Sequence, residues 1–377
     1  MSQNMRTLVF DPIITGHHLE YLHHYYLWAI QHKDQEFIFC LDPNFVTLKD
    51  KFAWPLQENI SISLLSTKEY EMIHGNSVSH RINTAKLLRK KIILFSVNKL
   101  LMTDFVHLIP FLLIYFPRDI LFYGIIYRVY LVDLKSRKIL KFINRWVFFT
   151  MISISKKFVK IFVLNDSRGA EMLNKIHHTS KFIYLPDPVP DVDISKVECI
   201  REKLLIPINN RLYLHFGGLC RRKGTIEILK AIEESSIEEV NNVSFVFAGC
   251  IYDDIRKEFY ELINKNSLKT QILVFDEFCS YEFIYSLCKS CDVILAPYLF
   301  SDCSSGVIGY GSVFSKPIVG PSTGLMGNLI RNFDMGVCIS PVNACSIRKA
   351  FSLEIQCDSS YYIDTHSVSD FLEIIFE

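Results

Sequence analysis

The chain has 377 residues, half of them apolar, with only 15 glycines and 13 prolines, so it buries ample core, makes two domains and carries no long disordered tract. A net charge of +1 hides a polarity: residues 1–190 carry 24 basic and 15 acidic side chains, the remainder 17 and 25. Only the first half then suits an anionic surface, and the acidic second half, with no zinc-finger, RRM or helix-turn-helix pattern, excludes nucleic acid as a partner.

The chain starts MSQNMRTLVFDP, without an apolar stretch after a basic start, so no signal peptide is expected and the protein is read as cytoplasmic. Eleven cysteines, an odd number at scattered spacings, agree with reduced thiols. Met5–Phe10 reads as a strand, followed by the loop DPIITG and a helix from about His18 to His32. Gly16 lets backbone approach a ligand there. His17 or His18 at the helix start suits a hydrogen bond to a phosphate or hydroxyl, or simply a cap. The loop lacks G-x-G-x-x-G, which argues against a nicotinamide or flavin dinucleotide. Asp11 and Glu20 lie nearby, but nothing singles either out as a base.

Phe37–Leu41 and Ile60–Leu65 read as further strands, and 80–116 as mainly helical. Within it FVHLIPFLLIYF is too short to span a bilayer, which leaves a buried segment or one that dips into a membrane surface. Ile120–Ile125 is a strand, and Arg128 after it either faces a ligand or is a surface residue. The stretch 135–160 has eight Lys/Arg and no acid, interleaved with Phe, Trp, Ile and Met. That composition fits a helix lying on anionic lipid, and equally a basic helix with its apolar side in the core. A strand at Ile161–Leu164, a helix capped by Asp166 or Ser167, and a strand at Phe182–Leu185 lead into PDPVPD. The first domain is placed at 1–190, with a hinge between about 187 and 205.

The second block repeats the rhythm, with strands at Leu212–Phe216, Val243–Ala248, Gln271–Phe275, Asp292–Ala296, Pro317–Val319 and Gly336–Ile339. Such alternation implies α/β architecture with parallel sheets covered on both faces, binding ligands beyond the strands' carboxyl ends. After the first of these strands, Gly217 and Gly218 turn the chain into a basic loop, Arg221, Arg222 and Lys223, and a helix begins at Gly224 or Thr225. Free N–H groups at the helix start and three cations suit a phosphate, although solvated charges on an ordinary connection look the same. After the fourth strand, Ser304, Ser305 and Gly306 open a second such helix, and PSTGLMGN offers Gly324 and Gly327. Cys288 and Cys291 form the one C-x-x-C; with no second pair nearby, core packing is expected rather than zinc.

The succession FGGLCRRKG, FAG, FDEF, SCDVILAPY, SSG and SKPIVGPSTGLMG resembles the nucleotide-binding domain of the group 1 (family 4) glycosyltransferases of GT-B fold, over roughly 205–345. The resemblance implies two Rossmann-like domains whose parallel sheets face across a central cleft. The first holds the acceptor, 205–345 holds the nucleotide sugar, and a helical segment at 346–377 returns toward the first. By this resemblance Lys223 grips the nucleotide diphosphate, with Gly217, Gly218, Arg221 and Arg222 around it. Ser304, Ser305 and Gly306 offer amides and hydroxyls to the distal phosphate. Gly16, His17, His18 and Arg128 face the ligand from the first domain, and the turn at Asp187–Val189 matches the interdomain turn. The family's Glu-x7-Glu pair falls on Asp302, at the donor sugar, and on Tyr310, which with Phe278 takes the ribose or base side. Two positions depart from the family: Gly218 stands where it has an arginine, and Tyr310 where it has the second carboxylate.

The implied activity is retaining, metal-independent transfer of a hexose-type sugar from a nucleoside diphosphate sugar, which is a co-substrate; no cofactor is implied. Charge and family habit together point to a glycan or lipid-linked acceptor at the inner membrane face, in polysaccharide or glycolipid assembly. A sugar-nucleotide 2-epimerase and a non-catalytic, nucleotide-binding glycosyltransferase-like subunit are the alternatives.

Overall fold

Seven short apolar runs of the first block hydrogen-bond into one parallel sheet: Arg6–Asp11 (β1), Glu36–Leu41 (β2), Ile60–Leu64 (β3), Lys99–Thr103 (β4), Leu121–Ile126 (β5), Phe158–Leu164 (β6) and Phe182–Leu185 (β7). Their order is β3-β2-β1-β4-β5-β6-β7, so the progression reverses between β1 and β4. The structure, a computed structural model, describes residues 5–13, 17–46, 54, 55, 57–103, 105–129, 131 and 139–377. Two units emerge, one of Met1–Leu185 with Ser369–Glu377, the other of Pro186–Val368.

Parallel strands need crossovers, which the helices His17–Gln31, Val78–Leu94 and Ser167–His177 help to supply. Strand β4 departs from the sequence reading, which ran helix through 80–116. After Leu94 the chain turns at Ser96, whose φ is +50°, and KLLMT then enters the sheet beside β1 with every residue buried. No glycine or proline lies between Gly75 and Pro110 to mark where the helix stops, so burial decided where pattern was silent. The rest of that span forms the helix Ile109–Tyr115, and Phe105, Leu108, Ile109, Leu112 and Phe116 are all core residues.

Of the basic stretch, 135–138 lies outside the described residues. The remainder is the helix Ile139–Ile154 followed by β6, so Phe158–Lys160 belongs to a strand where helix was expected. Phe149 and Ile152 of that helix are fully buried, while Ile139, Leu140, Ile143, Trp146 and Val147 are exposed.

The second unit holds a six-stranded parallel sheet of Arg211–Phe216 (β8), Val243–Ala248 (β9), Gln271–Phe275 (β10), Val293–Leu295 (β11), Ile318–Pro321 (β12) and Gly336–Ile339 (β13). Its order, β10-β9-β8-β11-β12-β13, reverses between β8 and β11. The helix Thr225–Glu234 shows why its sequence folds as it does. Ile226, Ile228, Leu229 and Ile232 are wholly buried, Glu227 and Lys230 fall between them, and Glu233 follows. Cys288 and Cys291 are buried in the core.

The segment expected to return at 346–377 divides. Ala344–Phe351 packs on Thr225–Glu234 within the second unit, and only Ser369–Glu377 groups with the first. The final helix, Val368–Phe376, stacks Phe371 on Tyr25 at 6.0 Å and Phe376 on Trp28 at 5.4 Å. Since Phe371 is completely buried, Phe371→Ala is expected to destabilise the first unit by about 3–5 kcal/mol. Urea unfolding followed by tryptophan fluorescence reads this; a midpoint equal to the parent's would mean the helix is dispensable.

Candidate functional site

Glycines allow the loop after β8 to close tightly on its neighbours. Gly217 has φ +88°, and a Cβ on Gly249 would lie 2.1 Å from the Gly217 carbonyl, so the ends of β8 and β9 meet backbone to backbone. Gly224 has φ +75°, and a Cβ there would lie 2.1 Å from the Pro297 carbonyl oxygen. The Leu299 N–H donates to the Arg222 carbonyl at 2.9 Å. The loops after β8 and β11 are thereby locked together where the sheet order reverses, the position at which open α/β sheets bind ligands.

Lys223 and Arg222 lie on this junction. The Lys223 ammonium sits above Gly217, 2.6 Å from where a Cβ would be, and 5.5 Å from the ring centre of Tyr298. The Arg222 guanidinium is 5.9 Å from the same ring. Tyr298 is 3% exposed, and its hydroxyl lies 3.1 Å from the Ser305 Oγ. One buried tyrosine therefore touches both anion-suited loops. Ser304 donates to the buried Asp187 carboxylate at 2.8 Å, and Gly306 caps the helix Val307–Val313. Gly324, with φ +70°, brings the PSTGLMGN loop against Ser301, whose carbonyl accepts from the Met326 N–H at 2.9 Å.

The other expected residues are distributed differently. Arg221 pairs with Glu258 at 2.6 Å, and Lys230 holds the same carboxylate at 2.9 Å, so Arg221 is engaged in a surface ion pair. Tyr310, expected on the ribose side, has its ring in the core, edge-on to Phe216 at 5.4 Å and near Tyr285 at 5.7 Å. Phe278 is exposed in the loop after β10, Gly218 lies under the Tyr252 ring, and Asp302 is half-buried just before Ser304. In the first unit Gly16 lies outside the described residues and His17 opens the first helix. His18 bonds Asp11 at 2.7 Å, and Arg128 is half-buried two residues after β5.

Sequence reasoning missed Tyr298 and His215, and gave Asp187 only as part of the interdomain turn. His215 is buried in β8 beneath the glycine turn, its Nδ1 2.8 Å from the Leu295 carbonyl and its Nε2 2.9 Å from the Thr225 hydroxyl. It ties together β8, β11 and the helix start. The one signal available was a histidine inside an otherwise apolar run. Burial, with Lys223 adding to it, pushes this imidazole down to about 4. An unfolded histidine takes its proton near 6.5 and the folded one only near 4, so the second unit loses stability as pH falls through that window. Between pH 8 and pH 5 the loss from His215 is about 2 kcal/mol. Hydrogen exchange of the β8 and β9 amides measures it, and His215→Gln is expected to flatten the profile; an equally steep profile in that variant refutes the assignment.

No protein-family model and no curated protein sequence matches the chain. Solved structures do resemble it along its whole length. HepE of Anabaena, in complex with UDP and glucose, has 14% identity and TM-score 0.65, covering 99% of this chain and 95% of its own. WaaG, a glycosyltransferase involved in lipopolysaccharide biosynthesis, has 13% identity and TM-score 0.69, covering 99% and 100%. An α,α-trehalose-phosphate synthase (UDP-forming) from Burkholderia vietnamiensis has 9% identity and TM-score 0.72, covering 98% of each. With its 7- and 6-stranded parallel sheets, the chain has the two-domain α/β fold of these proteins, GT-B.

Proposed function

We propose that the chain is a glycosyltransferase of the group 1 (family 4) type, moving a hexose-type sugar from a nucleoside diphosphate sugar to an acceptor hydroxyl. The observation that carries the reading is the Lys223–Tyr298–Ser305 junction at the sheet reversal of the second unit. The structural neighbours add support, one of them solved with UDP and glucose.

In this reaction the anomeric C–O bond breaks through an oxocarbenium-like state, and negative charge grows on the departing diphosphate. Lys223 and Arg222 lie side by side to meet that charge, and the Ser304–Gly306 segment supplies hydroxyls and amides to its far end. Two cations and oriented dipoles supply the compensation that a metal otherwise brings, so the reading is metal-independent and needs no cofactor. Asp302 is assigned to the donor sugar, and the outcome at the anomeric carbon is retention. Arg221, held by Glu258, is left out of the phosphate set.

A thermal-shift screen over nucleoside diphosphates and their sugars identifies the donor, since a ligand stabilises the fold that binds it. With that donor, Lys223→Ala is expected to lower turnover by about two orders of magnitude, the scale of losing one oxyanion-type charge. Turnover within a few fold of the parent would sink the proposal.

The acceptor is assigned to the first unit and to a glycan or lipid-linked substrate of polysaccharide or glycolipid assembly, at the cytoplasmic membrane face. Among the described residues no helix is long and apolar enough to cross a membrane. The exposed Ile139, Leu140, Ile143, Trp146 and Val147, in the basic unit, suit contact with anionic lipid instead. Cosedimentation with vesicles containing phosphatidylglycerol is expected for the parent chain and at least about tenfold weaker for Ile143→Glu/Trp146→Glu. Equal sedimentation of the two, or none by the parent, removes the membrane part of the assignment.

A further inference from the structure

The first sheet holds a polar cluster that the phosphate-binding loops do not explain. Asp11 ends β1 and is 3% exposed, and three donors converge on its carboxylate. The Ile13 N–H donates to Oδ1 at 3.1 Å, and the Thr103 hydroxyl donates to Oδ2 at 3.0 Å. The His18 Nδ1 lies 2.7 Å from the same Oδ2. Thr103 ends β4, the strand beside β1, and His18 is the second residue of the helix His17–Gln31. The cluster thus occupies the carboxyl edge of the sheet where the strand order reverses, a ligand position in folds of this kind.

The donor set decides how the ring is protonated. An ionised carboxylate only accepts, and the single Thr103 proton points to Oδ2, so His18 Nδ1 carries a hydrogen. In the neutral ring Nε2 then keeps its lone pair. Among the described residues the hydrogen bonds of His18 are made at Nδ1, and the side chain is 16% exposed, beside Tyr127 at 6.0 Å between ring centres. Elsewhere a carboxylate beneath an imidazole performs the same task, setting the tautomer and aiming the other nitrogen outward.

We infer that Asp11 and Thr103 hold His18 as a hydrogen-bond acceptor for a sugar hydroxyl, brought either by the acceptor or by the donor sugar. A phosphate is the wrong ligand here, because it brings no proton to a lone pair and would face the Asp11 charge. Naming a sugar rests on the glycosyl-transfer reading; the orientation of the ring does not.

Imidazole nitrogen spectra of the full chain, isotope-labelled and held at mildly alkaline pH, test this, with the His18 signals assigned by their loss in His18→Gln. The parent is expected to show the Nδ1–H tautomer at His18. Methyl glucoside, methyl mannoside and methyl galactoside are titrated separately, then UDP-glucose and GDP-mannose, then UDP alone. Movement of the Nε2 signal by a methyl glycoside assigns the acceptor's hydroxyl, and movement by a nucleotide sugar alone assigns the donor's. Asp11→Asn presents an amide N–H to Nδ1, turns the ring's donor outward and is expected to weaken the responding sugar at least about tenfold. An Nε2–H tautomer in the parent, an equal response to UDP alone, or no response to any sugar overturns the inference. If a methyl glycoside moves His18 while no nucleotide stabilises the chain, the transfer reading fails and the hydroxyl site stands.

Discussion

The candidate site depends on one constraint: two loops must meet where a parallel sheet reverses its order, and they meet only if side chains are absent from the contact. Gly224 against the Pro297 carbonyl provides that absence in the second unit, and Gly217 against Gly249 does the same for the adjoining loop after β9. A Cβ on Gly249 or on Gly224 would overlap backbone at 2.1 Å, an overlap that no rotamer change relieves. The Arg222 carbonyl is then free to accept from Leu299, and Lys223 is delivered beside Tyr298 rather than into solvent. The glycines and the buried His215–Thr225 contact are what position these cations.

Much of the architecture was legible because parallel strands buried on both faces read as continuous apolar runs. Val243–Ala248, buried throughout, is found at the expected residues, and so is the half-buried edge strand Gln271–Phe275. The central strand β4 was not legible, since KLLMT follows a helix with no glycine or proline between them to mark the break. Its position beside β1 is a long-range fact of topology. The same limit applied to the site. Lys223 and Ser305 stood out through glycine and serine chemistry near helix starts. Tyr298 did not, because the residue that bridges two loops has no local pattern to mark it. Arg221 and Arg222 are adjacent and identical in type, and only the position of Glu258, 37 residues from Arg221, separates a surface ion pair from a cation beside the tyrosine.

Tyr310 illustrates how a resemblance is limited by packing. The spacing puts it where the family has a carboxylate, yet its ring is part of the core with Phe216 and Tyr285. An aromatic side chain at that position is stabilised by burial, whereas a carboxylate would need a partner to offset desolvation. The Tyr310 ring packs in the core from the helix that follows Ser304–Gly306, and Tyr298 holds that segment through Ser305.

The two units solve the same geometric problem with opposite chemistry. Each places its polar group at the carboxyl edge of a parallel sheet, where neighbouring strands send their chains to different sides. In the second unit the buried aromatic supports cations that remain outside, an arrangement that attracts anions without burying charge. In the first, the charge itself is buried, as the Asp11 carboxylate, and is tolerated because Ile13, Thr103 and His18 all donate to it. What faces outward there is an imidazole nitrogen whose protonation is set from below. A sheet edge built this way discriminates by hydrogen-bond direction rather than by net charge, which is the property needed to select among sugar hydroxyls that carry no charge at all.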